Sequence, residues 1–164
     1  MATGFAHKRL SKMQAGLPQG ISIVKADDLK EWQMDIKVLD ENPLYMNKTF
    51  RLKFTFSDRY PIANPGFTYS EPPEVQFIQV PDNSDTPRPI PMHPHIYSNG
   101  IICLDLLGRS GWSPVQTAES VCMSIQSMLT ANTKDERPPG DKEFITHNRR
   151  RIRDINFVYE DDDV

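Results

Sequence analysis

The residue types able to do chemistry crowd into one stretch, Met92-His93-Pro94-His95-Ile96-Tyr97-Ser98-Asn99-Gly100-Ile101-Ile102-Cys103-Leu104-Asp105-Leu106. A cysteine thiolate is a strong nucleophile, and an imidazole offers either a base or an N–H donor. Asn99-Gly100 is a turn signal, because both residues tolerate positive φ at low cost. A turn there returns residues 101–106 toward residues 93–96 and brings the Cys103 sulfur near the two histidines. A thiol beside imidazoles and a backbone turn is a candidate nucleophile.

Other readings of the same residues stay open at this level. Cysteine is among the most buried residue types, so an apolar run around Cys103 also suits an inert core thiol. His93, His95, Cys103 and Cys122 are zinc-ligand types, but their spacing matches no compact Cys/His pattern. A Cys–His protease would need a base and an orienting third group that the sequence does not locate.

The stretch resembles the active-site signature of ubiquitin-conjugating enzymes. The residues that carry the resemblance are His93-Pro94, Ile96, Gly100, Ile102, Cys103, Leu104 and Leu106, followed by Trp112-Ser113-Pro114. Two positions depart from the family pattern. Met92 stands where an aromatic residue is usual, and His95 where asparagine is usual.

The elements that must hold this stretch are legible from periodicity. Residues 5–15 read as a short helix with Ala6, Leu10 and Met13 on one face and Lys8, Arg9 and Lys12 on the other. Residues 21–26 read as a strand. Trp32, Met34, Ile36 and Val38 alternate with Gln33, Asp35 and Lys37; Phe50, Leu52, Phe54 and Phe56 alternate with Arg51, Lys53 and Thr55; Val75 and Phe77 give a shorter fourth run. Four antiparallel strands with one apolar face need a covering layer. Residues 117–131 supply it, with Ala118, Val121, Cys122, Ile125, Met128 and Leu129 at helical spacing; Cys122 is therefore expected in the core. Arg137-Pro138-Pro139-Gly140-Asp141 breaks the helix, and Ile152, Ile155 and Tyr159 permit another short one between a basic block and an acidic end.

Bulk composition narrows the function classes. A chain of 164 residues suits one domain, and a net charge of −3 argues against a nucleic-acid binder. Two cysteines imply no disulfide framework and suit a reducing compartment. The first residues lack a signal-peptide core, and no run approaches the roughly 20 apolar residues of a membrane span. Cytoplasm or nucleus is the expected location.

The resemblance extends over nearly the whole chain. The order of helix, four-stranded meander, active-site loop and buried helix implies an α+β ubiquitin-conjugating fold. A catalytic core over residues 1–136 would be followed by a short charged extension over 137–164, part of the same domain or mobile. Tyr60-Pro61 and Pro72-Pro73-Glu74-Val75-Gln76-Phe77 correspond to a family segment that is here split by residues 63–71; residues 79–91 are a second insertion. Nine prolines between Tyr60 and His95 make these extended, stiffened loops. His-Pro-His, Tyr-Ser-Asn-Gly, Arg-Pro-Pro and the Tyr159-Glu160-Asp161-Asp162 end look like the W-type subfamily, which modifies N-terminal α-amino groups.

The resemblance also implies the chemistry. Cys103 would take ubiquitin as a thioester from an activating enzyme, which consumes the ATP, and pass it to an amine with no bound cofactor or metal. His95 would donate to the oxyanion, with Asp105 or Asp135-Glu136 as acidic candidates near the acceptor. Lys8, Arg9 and Lys12 would dock the activating enzyme, and Ile62, Ser113 and Pro114 a RING-type ligase. His93, Pro94, Asn99, Gly100 and Trp112 would be structural. A lysine acceptor, a ubiquitin-like modifier, or a non-catalytic module of the same fold are the alternatives; the last usually lacks the cysteine. Protein substrates with flexible N-termini are the expected acceptors, and neither nucleic acid nor membrane is an expected partner.

Overall fold

A computed structural model describes residues 16–26, 30–39, 41–56, 73–104 and 118–147. Strands β1 (Ile21–Lys25), β2 (Glu31–Lys37), β3 (Thr49–Thr55) and β4 (Glu74–Ile78) form one antiparallel sheet in sequence order. The expected meander is therefore present. Its register follows from the alternation, since a slip by one residue would turn every apolar side chain to solvent. Inward residues form rows across the strands: Ile23 opposite Met34, Met34 opposite Leu52, Leu52 opposite Phe77. Trp32, Phe54 and Val75 make a parallel row.

Helix α1 (Ala118–Ala131) covers this face with Ala118, Val121, Cys122, Ile125 and Leu129, all buried, and with the partly buried Met128. The Cys122 sulfur lies 3.7 Å from the Met34 sulfur, and burial pushes the thiol up to about 12. Cys122 is thus the core thiol that the helical stripe implied. Glu119 sits in the first turn, where the helix dipole favours an anion. At the other end the Asn42 amide donates to the carbonyls of Leu129 (3.3 Å), Thr130 (3.3 Å) and Asn132 (2.9 Å), so orphan helix carbonyls are satisfied from the β2–β3 connection.

Three features differ from the reading of the sequence. Residues 79–91 are not a plain extended loop: Val80 and Arg88 exchange both backbone hydrogen bonds (2.9 and 3.1 Å), closing a small antiparallel bridge. Arg88 then reaches the outward face of the sheet, where its guanidinium and that of Arg51 both bond Asp35, at 3.0 Å for the closest pair of each. Asp35, outward by alternation, is consequently buried beneath the insertion. The third difference is a short helix, α2 (Asp141–His147), directly after the Pro-Pro-Gly break. Residues 5–15, 63–71 and 152–159 lie outside the described residues, and so does the helix expected at each end of the chain. No helix among the described residues is long and apolar enough to cross a membrane.

Candidate active site

The Asn99-Gly100 turn does what its sequence implies. Gly100 N–H bonds the Tyr97 carbonyl (2.9 Å), Tyr97 N–H bonds Ile101 (2.9 Å), and Ile96 pairs with Ile102 across the turn. Asn99 accepts the Ile101 N–H through its side chain (3.2 Å), the local bond that suits asparagine to turns. The outcome is that Cys103 N–H donates to the His95 carbonyl at 2.8 Å. Cys103 is neither core nor fully exposed, and burial pushes its thiol up to about 11.

The two histidines have separate environments. His95 is exposed at the mouth of the loop, its ring centroid 5.5 Å from that of His93. His93 is buried, and its Nδ1 accepts the His95 backbone N–H at 2.9 Å. Accepting at Nδ1 puts the proton on the other ring nitrogen, and the ring also bonds the Met128 backbone. The Met128 carbonyl sits at the end of α1, where Asn132 N–H turns to Leu129 instead (3.2 Å). Burial first, then the neighbouring His95, pulls His93 down from 6.5 to about 4.

That shift has a pH consequence of definite sign. A histidine whose folded value is depressed takes up protons preferentially in the unfolded chain, so its stabilisation is complete above 6.5 and drains away as pH falls toward 4. The shift corresponds to about 3 kcal/mol at most. Urea unfolding at a series of pH values is expected to show this loss, and His93→Asn, which cannot titrate there, is expected to flatten the curve. An equally steep acid limb in the variant would place the sensitivity elsewhere.

The rest of the loop is held by Tyr45, from the β2–β3 connection, and by residues C-terminal to α1, in roles that the sequence reading missed. The Tyr45 hydroxyl donates to the Met92 carbonyl (2.6 Å) and accepts from the Asn132 amide (2.7 Å). Arg137 bonds the carbonyls of Ile90, Pro91 and Ile96. Asp141 accepts the Ser98 N–H at 2.8 Å, and Phe144 of α2 stacks on Tyr97 with ring centroids 3.7 Å apart. Burial raises the Tyr97 phenol, and the Cys103 and Asp141 charges push the same way, so Tyr97 stands within electrostatic reach of both. Among the described residues Asp141 is thus the acidic candidate bonded to the active-site loop, whereas Asp135 and Glu136 are exposed. Its signal was available: an aspartate just after Pro-Pro-Gly marks a helix start.

Asp105, Lys8, Arg9, Lys12, Ile62, Trp112, Ser113 and Pro114 lie outside the described residues. Among the described residues no group of three His, Cys, Asp or Glu converges as metal ligands would.

Comparison with known proteins agrees with this geometry. Residues 6–155 match the family model described as ubiquitin-conjugating enzyme. Ubiquitin-conjugating enzyme E2 W of Caenorhabditis elegans is 32% identical over 99% of this chain and 97% of that protein. Ubiquitin-conjugating enzyme 15 of Arabidopsis thaliana is 36% identical, covering 96% of this chain and 87% of its own length. The crystal structure of the conjugating enzyme UbcA1 from Agrocybe aegerita superposes with a TM-score of 0.76 at 36% identity, covering 90% of this chain and 94% of that one. With the signature cysteine on its turn, the meander and the covering helix all in place, the chain belongs to the ubiquitin-conjugating enzyme family, whose members carry ubiquitin as a cysteine thioester.

Proposed function

We propose that Cys103 accepts the C-terminal carboxyl of ubiquitin from the activating enzyme and delivers it to the α-amino group of protein N-termini, in the cytoplasm or nucleus. The observation that carries the first half is the position of Cys103: half-buried on the segment returning from Gly100, with its backbone N–H bonded to the His95 carbonyl. In the first transfer the Cys103 thiolate attacks the thioester carbonyl of the activating enzyme, whose own thiolate leaves. In the second, a neutral amine attacks the Cys103-bound carbonyl, the C–S bond breaks, and the amine proton passes to solvent. The tetrahedral oxyanion between these states is stabilised by a hydrogen-bond donor, commonly by a few kcal/mol. The exposed His95 ring supplies that donor here, in place of the amide usual in the family.

The second half is supported by the W-type features His93-Pro94-His95, Tyr97-Ser98-Asn99-Gly100 and Arg137-Pro138-Pro139, and by the similarity to an E2 W enzyme over almost the entire chain. Acceptor chemistry points the same way. An N-terminal amine has a pKa of about 7.7–8.0 and lysine about 10.4, so near pH 7 the neutral fraction favours the former by on the order of a hundredfold. An α-amine therefore needs little help from a deprotonating carboxylate, and Asp141 is engaged with Ser98 N–H. Lys8, Arg9 and Lys12 are the proposed contact for the activating enzyme, and Ile62, Ser113 and Pro114 for a RING-type ligase.

A disordered peptide carrying lysines, offered with a free or an acetylated N-terminus, tests the acceptor. Modification is expected to fall on the order of a hundredfold on acetylation, matching the difference in neutral amine. Equal modification of the two peptides would return the enzyme to the lysine-directed class.

A further inference from the structure

We propose that Arg137 is the positioning residue that fixes the active-site loop for transfer from Cys103, a role that rests on the thioester reading above. Its guanidinium gathers three backbone carbonyls: Nη1 donates to Pro91 (2.6 Å) and Ile96 (3.1 Å), and Nη2 to Ile90 (3.2 Å). Those carbonyls flank His93-Pro94-His95 on both sides. The segment holds Pro89, Pro91 and Pro94, which have no N–H, so it cannot build a regular ladder and its carbonyls need donors from elsewhere. A planar fork with five N–H groups spread over three nitrogens suits several converging carbonyls, whereas a lysine offers three donors from a single nitrogen on a flexible stem.

The link to the nucleophile is one peptide long. The Ile96 carbonyl is held by Arg137, and the preceding carbonyl, that of His95, accepts the Cys103 N–H. Fixing one peptide plane restricts its neighbour, because only φ and ψ of the residue between remain soft. Through this short path Arg137 sets the height of Cys103 and the direction of the His95 ring. At its other end the same guanidinium holds residues 90–91, just beyond Arg88 and its anchor on Asp35, so the insertion is tied to the active-site loop. Tyr45, Asn132 and His93 hold the loop independently, so removing Arg137 loosens it without unfolding the domain.

The test uses the full chain with Arg137→Ala and Arg137→Lys. Each protein is charged with ubiquitin by the activating enzyme and ATP, charging is quenched, and discharge to a dipeptide with a free amino group is timed. In parallel, iodoacetamide alkylation of Cys103 is followed against pH. Charging is expected within about twofold of wild type, while discharge slows about tenfold in Arg137→Ala and about threefold in Arg137→Lys, the scale of a small misplacement of reacting groups. The alkylation midpoint, which burial raises in the wild type, is expected to move down in Arg137→Ala as water reaches the sulfur. A general loss of stability would not move that midpoint in folded protein. Discharge within twofold of wild type, or an unmoved alkylation profile, overturns the proposal. If Arg137→Ala does not fold, Arg137→Lys alone decides: its slower discharge supports the role and wild-type discharge refutes it. Failure of the wild-type chain to form any thioester is a separate result that refutes the thioester reading, and the alkylation profile then judges Arg137 by itself.

Discussion

Cys103→Ala is expected to abolish ubiquitin loading, and Cys103→Ser to give a loaded form that survives reductant. The reason lies in the bond. A thioester is cleaved by added thiol because thiolate is a good leaving group, whereas an oxygen ester is not. Cys122, with no exposed surface and its sulfur against Met34, is expected to contribute nothing, so Cys122→Ser should load normally wherever it folds. Incubation with activating enzyme, ATP and ubiquitin, read on paired reducing and non-reducing gels, checks all three variants. Normal loading of Cys103→Ala would remove the thiol from the mechanism. Burial favours the protonated form of Cys103, so the thiol must lose its proton as it attacks the incoming thioester.

The strands and the covering helix were legible because their signal is periodic and local. Alternation over Glu31–Lys37 and Thr49–Thr55, and the stripe along Ala118–Ala131, each repeat one instruction several times. The turn was legible because Asn-Gly has few uses. What escaped was recognition by side chains of groups that carry no sequence label. Arg137 binds carbonyls, and every residue has one. Helix α2 buries none of its residues, and the contacts that tie it to the loop include a ring stack and the Ser98 N–H, so it has no apolar stripe to read. Asp35 looked like a solvent-facing carboxylate because its burial is created by an arginine 53 positions away, across the insertion.

Gly100→Ala is expected to be the most damaging single change to the loop. Gly100 has φ of +90°, a conformation that costs an alanine on the order of 1–2 kcal/mol. Space is the larger obstacle: a Cβ on Gly100 would lie 1.9 Å from the Phe77 carbonyl oxygen. That atom cannot step aside, because it is backbone of β4, whose side chains fill the core. Phe77 N–H also donates to the Gly100 carbonyl at 2.9 Å, so backing the turn away from the strand breaks the bond that docks it. Strain, displacement and the lost hydrogen bond together amount to about 3–5 kcal/mol, a large part of the 5–15 kcal/mol that holds a typical domain. Either the whole domain unfolds at a much lower urea concentration, or the turn lifts from β4 and carries Ile102 and Cys103 with it. Fluorescence of the buried Trp32 during urea unfolding reports the first outcome, and ubiquitin loading the second. Asn99→Ala provides the comparison: it removes only the side-chain bond to Ile101 N–H and is expected to cost about 1 kcal/mol. A Gly100→Ala protein with the wild-type urea midpoint and wild-type loading would show that the turn is not pinned to β4 as described.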